Sequence, residues 1–199
     1  MLLSSYTQNM IEAGCDEAGR GALAGPVFAA AVIFHNTFTH PYLNDSKKLT
    51  AKLRYELRYI IEKEAMAYAV ASVDHHTIDQ INILNASFLA MHQALDQLHV
   101  KPGMILVDGN RFLQYENIPH KCIIRGDGIY LSIAAASILA KTYRDDYMIK
   151  IHREFPQYNW SENKGYATAD HRKAVYTHGE SPWHRKSFHL SGQLKIKFE

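Results

Sequence analysis

The order of the apolar runs along the chain constrains its fold more than any other feature. Two short strand-like runs come first, Ile11–Cys15 and Val27–Phe34, joined by a glycine-rich turn at Gly19–Gly25. From residue 50 to residue 155, helical and strand-like runs alternate instead. Consecutive strands favour a hairpin, whereas alternating strands and helices favour parallel pairing. The order therefore predicts an α/β fold with a mixed sheet flanked by helices.

Hydrophobic spacing predicts the remaining elements. Three later runs are predicted strands: Ala65–Val73, Met104–Val107 and Cys122–Ile124. Three runs with apolar residues at helical spacing are predicted helices: one from about Thr50, which is a plausible N-cap, Ile83–Leu98 and Tyr130–Phe155. We expect five strands in one mixed sheet, followed by a helical C-terminal part and tail from about residue 156.

Composition places the chain in a broad class. Its 199 residues are expected to form a single domain over residues 1–199. A net charge of +2 weakly favours an anionic partner. Cys15 and Cys122 fit neither a disulfide framework nor a zinc pattern, so both are expected to be reduced. Without a secretory signal or an apolar run of membrane-spanning length, the sequence predicts a cytoplasmic protein that does not contact a membrane.

Four acidic residues lie at the ends of strand-like runs or just beyond them. Asp16 and Glu17 follow the first run, Asp108 follows Met104–Val107, and Asp127 follows Cys122–Ile124. An aspartate before glycine is also common in ordinary turns, which is the alternative for Asp108 and Asp127 taken singly. Several carboxylates at one sheet edge repel one another unless cations neutralise them. Their oxygens suit Mg²⁺ or Mn²⁺, so the set predicts metal-dependent chemistry.

Several motifs occur in a fixed order over about residues 11 to 188. They are DEAGRG from Asp16, DSKKL from Asp45, DGN from Asp108, RGD from Arg125, AAASILAK from Ala134, RD from Arg144, KGY from Lys164 and HRKSF from His184. Taken together, this set resembles bacterial ribonuclease HII of the ribonuclease H superfamily. The resemblance implies a ribonuclease H-like fold.

The resemblance also implies an activity. An enzyme of this kind would be an endoribonuclease that hydrolyses the RNA strand of RNA–DNA hybrids. It would also cut on the 5′ side of single ribonucleotides embedded in duplex DNA. Two divalent ions, Mg²⁺ or Mn²⁺, would serve catalysis, and the products would carry 5′-phosphate and 3′-hydroxyl ends. Asp16, Glu17, Asp108 and Asp127 would be both the catalytic residues and the metal ligands.

Three other functions compete with this one. A ribonuclease HIII-type enzyme shares the catalytic core but carries an additional N-terminal domain. Another metal-dependent nuclease of the ribonuclease H superfamily would not require a 2′-hydroxyl. A non-catalytic protein that binds RNA–DNA hybrids is the alternative from a different class. The implied cellular role is ribonucleotide excision repair and primer removal during DNA replication.

The resemblance extends to residues that would contact the substrate. Gly19, Arg20 and Gly21 would approach the ribose, and Tyr166 would stack on the following deoxyribose. The remaining predicted contacts are Ser46, Lys47, Lys48, Ser137, Lys141, His184 and Arg185. The alternative for the loop that contains Ser46 is a polar segment before a helix, and the alternative for His184 and Arg185 is an anchor for the C-terminus.

Some positions depart from the family pattern or stand outside it. Arg125 replaces the usual lysine, and Ala167 follows Tyr166 where glycine is common. His171 is interpreted as a structural or surface residue, with positioning of solvent or phosphate as the alternative. The tail from Gly192 to Phe198 loosely resembles peptides that dock on sliding clamps, so a weak clamp contact is one interpretation and a basic disordered end is the other. We expect a monomer that binds RNA–DNA hybrids and ribonucleotide-containing duplex DNA.

Overall fold

A computed structural model describes residues 2–7, 9–44 and 46–188 of the chain. Its sheet has the strand order β3-β2-β1-β4-β5. The strands are β1 (Glu12–Ala18), β2 (Val27–Ile33), β3 (Ala67–Val73), β4 (Met104–Asp108) and β5 (His120–Ile123). Strand β2 pairs antiparallel with β1 and β3, whereas β4 pairs parallel with β1 and β5. The predicted mixed five-stranded sheet is confirmed.

Helices cover the sheet and form the C-terminal part. They are α1 (Ala51–Glu64), α2 (His75–Asp96), α3 (Leu131–His152), α4 (Trp160–Asn163) and α5 (Ala169–His178). Short 3-10 turns occupy Ser46–Lys48, Gly126–Gly128 and Pro156–Tyr158. The Thr50 hydroxyl accepts a hydrogen bond from the Leu53 N–H at 3.2 Å, which confirms Thr50 as the N-cap of α1.

Helix α2 begins at His75 rather than at Ile83. It is two helical pieces that meet at Asn82, whose backbone is left-handed at a φ of 65°. Asp74 caps the first piece by accepting from the Thr77 N–H at 2.8 Å. The Asn82 side chain caps the second by accepting from two later N–H groups. Sequence spacing detects only the longer, second piece; His75, at the start of the first piece, is buried.

Strand β1 is longer than predicted. It continues through Asp16 and Glu17 to Ala18, because β1 and β2 remain paired as far as Ala18 opposite Phe28. Asp16 and Glu17 therefore belong to a central strand instead of following it. Pairing with Ala30 and Ala29 of β2 fixes their backbone.

Helix α3 lies directly against β1. A Cβ atom on Gly14 would come within 2.2 Å of the Ser132 carbonyl carbon and 2.4 Å of the Ile133 nitrogen. Side chains alternate along a strand, so Asp16 shares the α3 face of the sheet with Gly14. Asp108 also points to this face, because Leu106, two residues earlier in β4, packs against Ile133 of α3. One helix therefore covers the side of the sheet that carries both carboxylates.

Candidate active site

Strand register brings Asp16 and Asp108 side by side. Cys15 pairs with Val107 in the parallel β1–β4 ladder, so Asp16 and Asp108 come next in register. Neighbouring strands lie ~4.8 Å apart, which makes the two aspartates adjacent on one face. The Asp108 Oδ1 atom accepts a hydrogen bond from the Gly126 N–H at 2.7 Å. That bond ties the end of β4 to the turn that contains Asp127.

The Asp16 carboxyl group has an unfavourable environment for its charge. Burial raises the pKa of Asp16 well above its ordinary value, and the negative charges of Glu17 and Asp108 raise it further. A hydrogen bond from Ser137 and one from the Glu17 N–H, 2.7 Å long, act in the opposite direction. Repulsion between Asp16, Glu17 and Asp108 shows that the three carboxylates are close enough to influence one another.

The four predicted acids differ in exposure. Asp16 and Asp127 are buried, whereas Glu17 and Asp108 are half-buried. Glu17 accepts from the Arg20 guanidinium at 3.1 Å. Within the described part of the chain, no three His, Cys, Asp or Glu side chains are already grouped closely enough to hold a metal ion. Asp16 and Asp108 are nonetheless neighbours by strand position.

A cleft of about 440 Å³ opens beside Asp16 and Glu17. Much of the predicted substrate-binding set lines it, namely the Gly19–Gly21 loop, Ser46, Ser137, Lys141 and Tyr166. Ser46 and Ser137 are buried and share a hydrogen bond of 2.9 Å. Lys141 pairs with Asp145 at 2.6 Å and stands 5.7 Å from the centre of the Tyr166 ring.

Two predicted contacts prove to be buried instead. His184 is 5% exposed and Arg185 is 1% exposed, and neither lines the cleft beside Asp16 and Glu17. The Arg185 guanidinium donates to the carbonyl oxygens of Gly19, Arg20 and Gly25 at 2.8 to 2.9 Å. Arg185 thus holds the glycine loop from behind, whereas the His184 ring bonds Ser181 and His171, so the structure gives both side chains an anchoring role in place of the predicted substrate contact.

The structure describes the side chain of only one of the two predicted lysines in the Ser46–Lys48 turn. Lys48 is exposed. The side chain of Lys47 lies outside what the structure describes. Arg54, which the sequence did not single out, lines the cleft and donates to the Ser46 and Leu49 carbonyls at 2.9 and 2.6 Å. Its place in the first turn of a helix gave no signal of this role, since an arginine there usually faces solvent.

Arg144 is a second buried guanidinium that the sequence did not assign to the site. It donates to the carbonyls of Ala24, Pro26 and Lys164 at 3.2, 3.0 and 2.9 Å. A Cβ atom on Gly19, whose φ is 96°, would lie 2.0 Å from the Arg144 Nε atom. Arg144 thus joins the Gly19–Gly25 loop to the segment before Tyr166. An arginine inside a largely apolar helix was the available signal, and buried guanidinium groups normally need several acceptors.

The Tyr166 loop pairs directly with the glycine loop. The Leu23 N–H donates to the Gly165 carbonyl at 2.7 Å, and Ala22 forms an isolated antiparallel bridge with Tyr166. The Tyr166 ring lies 5.2 Å from the Arg144 guanidinium carbon. The two loops are consequently one paired unit on the wall of the cleft.

None of the helices in the described residues is long and apolar enough to cross a membrane.

A family model described as Ribonuclease HII matches residues 13–191. Ribonuclease HII of Bacteroides thetaiotaomicron is 60% identical over 200 residues, which cover 100% of each chain.

Solved structures show the same architecture. Ribonuclease H2 from Pyrococcus horikoshii OT3 superposes with a TM-score of 0.74 at 26% identity, covering 90% of this chain and 94% of that one. A chain of the PCNA:RNase HII complex from Archaeoglobus fulgidus gives a TM-score of 0.73 at 23% identity, covering 94% and 100%. The predicted ribonuclease H-like fold is confirmed by these neighbours.

Proposed function

The chain belongs to the ribonuclease HII family of endoribonucleases, and from that premise we propose how its own residues act. It hydrolyses the RNA strand of RNA–DNA hybrids and cuts on the 5′ side of single ribonucleotides embedded in duplex DNA. The products carry 5′-phosphate and 3′-hydroxyl ends. One observation carries this proposal: a single cleft joins Asp16 and Glu17 to the glycine loop and Tyr166.

Asp16, Glu17, Asp108 and Asp127 would hold two divalent cations, Mg²⁺ or Mn²⁺. The donor set suits such ions, because carboxylate oxygens are the ligands they prefer and because a buried Asp16 beside two like charges needs neutralisation. Bound ions would stabilise the charge that develops on the phosphate.

The chain's own residues place the scissile phosphate and read the sugar. The backbone of the Gly19–Gly21 loop can approach a ribose closely, and a 2′-hydroxyl can donate to it and accept from it. The Tyr166 ring would stack on the deoxyribose that follows. Ser137 and Lys141, one turn apart on α3, would contact the phosphate backbone. Lys48, exposed at the end of its turn, would add a further phosphate contact.

A cleavage assay on three duplexes tests this function. We expect cutting beside a lone ribonucleotide in DNA and along a continuous RNA–DNA hybrid, no cutting of an all-DNA duplex, and no cutting in EDTA. Asp16→Asn and Asp108→Asn should each lower kcat by at least about a hundredfold, because an amide cannot neutralise the cations. Asp96→Asn, an exposed carboxylate outside the cleft, is the matched control and should keep full activity.

Two results would contradict the proposal. One is a rate near that of the wild type for Asp16→Asn or Asp108→Asn. The other is cleavage of the all-DNA duplex as fast as that of the duplex with a ribonucleotide. The first outcome would show that the two aspartates are not catalytic. The second would show that the enzyme does not recognise the 2′-hydroxyl.

Beyond the site, we propose one catalytic domain that acts as a monomer in the cytoplasm. The predicted clamp-binding tail from Gly192 to Phe198 lies outside the described residues. The relative from Archaeoglobus fulgidus was solved with PCNA, which supports keeping a weak clamp contact as a proposal. Pull-down with the host sliding clamp should weaken when residues 192–199 are deleted; unchanged capture would exclude the tail.

A further inference from the structure

His171 lies directly behind the Tyr166 loop. It is fully buried, at 0% exposure, in the first turn of α5. Thr168 caps that helix and accepts a hydrogen bond from the His171 N–H at 3.2 Å. Its imidazole points away from the helix toward Tyr166, Trp160 and His184. A buried ring with polar partners on both nitrogens has a fixed orientation.

The partners of His171 determine which nitrogen carries its proton. The Nδ1 atom lies 2.9 Å from the Tyr166 carbonyl oxygen, which can only accept. The proton is therefore on Nδ1. The Nε2 atom is left as an acceptor, and the Trp160 indole, which can only donate, reaches it at 3.0 Å.

His184 completes the same one-way chain of hydrogen bonds. Its Nδ1 atom accepts from the Ser181 N–H at 2.9 Å, so its proton is on Nε2. That Nε2–H faces the His171 Nε2 atom at 3.2 Å and donates to it. Ser181, His184 and Trp160 thus all orient His171 so that its single N–H is aimed at the Tyr166 carbonyl.

Both polar groups of the Tyr166 backbone are held: its N–H donates to the Asn163 carbonyl at 2.9 Å, and its carbonyl accepts from the start of α5. The preceding residues, Lys164 and Gly165, are both left-handed, with φ of 51° and 79°. The Tyr166 carbonyl receives the Thr168 N–H at 2.8 Å as well as His171. Both donors come from the start of α5, so this helix fixes the position of the Tyr166 carbonyl.

We propose that His171 is a positioning residue that sets the placement of Tyr166 and thereby the preference for an embedded ribonucleotide over a continuous hybrid. The inference rests on the proposed function of Tyr166 as the reader of the deoxyribose. His171 touches neither the acids nor the cleft. It acts through a backbone carbonyl, so its loss should change selection between substrates more than it changes turnover on a permissive one.

Two substitutions of His171 separate this role from simple packing. In His171→Asn the amide nitrogen occupies nearly the position of Nδ1 and can still donate to Tyr166. In His171→Gln the amide lies nearer the position of Nε2, so the contact with Trp160 is retained and the donation to Tyr166 is lost. Both replace a buried ring with a smaller polar group, so loss of packing is similar in the two.

The readout is the ratio of kcat/KM on a duplex with one ribonucleotide to kcat/KM on a continuous hybrid. His171→Gln should lower this ratio by about 10- to 100-fold, since misplacing a substrate-orienting group by ~1 Å has effects of that size. His171→Asn should stay within about threefold of the wild type. His178→Gln, an exposed histidine at the end of the same helix, is the matched control and should leave the ratio unchanged.

A double substitution tests whether His171 acts through Tyr166. In a Tyr166→Ala background, His171→Gln should lower the ratio no further, because there is no ring left to place. The proposal would be overturned if the effects of the two substitutions on the ratio were additive. It would also be overturned if His171→Asn and His171→Gln gave equal ratios, or if the ratio simply followed the melting temperature of each variant. If the wild type itself shows no preference for the embedded ribonucleotide, the proposed function of Tyr166 fails instead.

Discussion

Within the described part of the chain, none of the groups that shift the pKa of Asp16 carries a positive charge. Burial and the charges of Glu17 and Asp108 raise that pKa well above its ordinary value. The folded protein then holds a proton on Asp16 more tightly than the unfolded chain does. The contribution of Asp16 to the free energy of unfolding therefore falls as pH rises from about 4 through its folded pKa, and it stays low above that pKa.

Asp16→Asn should therefore stabilise the protein in EDTA at pH 7.5 while abolishing turnover. We expect the melting temperature to rise by about 3 °C or more, and this gain to disappear toward pH 4, where Asp16 is protonated. Thermal unfolding at the two pH values measures this, with Asp96→Asn as a control that gives no gain. A lower melting temperature for Asp16→Asn at pH 7.5 would contradict the electrostatic account.

At the scale of elements, the contact between β1 and α3 determines the position of the site. Gly14 permits this contact, because a methyl group there would overlap backbone atoms of Ser132 and Ile133, which cannot move aside without shifting α3. The same helix carries Ser137 and Lys141 over the cleft. A shift of α3 would therefore displace phosphate-binding residues relative to Asp16.

Gly14→Ala should destabilise the protein by about 3 kcal/mol, at the upper end of the range for overpacking, because the overlap is with backbone. The loss should appear as a lower midpoint in urea unfolding. Gly103→Ala is the control, since its added Cβ would meet its nearest neighbour at 3.8 Å, an ordinary contact. Equal midpoints for Gly14→Ala and the wild type would show that α3 can move away without cost.

The sequence predicted elements better than it predicted their ends. The order of apolar runs was sufficient for the five strands and for α1 and α3, because burial dictates those patterns. The first piece of α2 was missed, since it is short and depends on the cap by Asp74 rather than on an extended apolar face. The extension of β1 through Glu17 was also missed, because it follows from pairing with β2 and not from the hydrophobicity of β1 itself.

For the whole molecule, three segments that are distant in sequence form one wall of the cleft. Arg144 and Arg185 join the Gly19–Gly25 loop to the Tyr166 loop and the C-terminal segment through backbone carbonyls. Motif order predicted that these segments belong to one site. It could not predict that Arg185 holds the glycine loop from behind. The guanidinium and its carbonyl partners are more than a hundred residues apart in sequence, so local spacing carries no sign of their contact.

The buried histidines make the stability of the molecule depend on pH. Burial and the nearby His171 lower the pKa of His184 to about 4, against an ordinary value of 6.5. The folded protein binds fewer protons than the unfolded chain between these values. The free energy of unfolding should therefore fall as pH drops from 6.5 toward 4, and His184 should contribute no slope above 6.5.

A comparison of melting temperatures between pH 4 and pH 8 measures this slope. Asp16 contributes a slope of the opposite sign, so Asp16→Asn serves as the parent protein. His184→Asn, which has no titratable ring, should flatten the curve between pH 4 and 6.5 relative to that parent. An unchanged curve would mean that His184 does not control acid stability.

The attachment of the glycine loop to Arg185 has a consequence for shortened forms of the protein. A chain that stops after Gly179 would keep all four acids and every strand, yet it would lose the guanidinium that grips three carbonyls of that loop. Truncation there should therefore loosen the glycine loop and lower the stability of the fold, because three carbonyls lose the donor that pairs with them. Variants truncated in this segment should therefore be assayed for discrimination between ribose and deoxyribose as well as for cleavage rate.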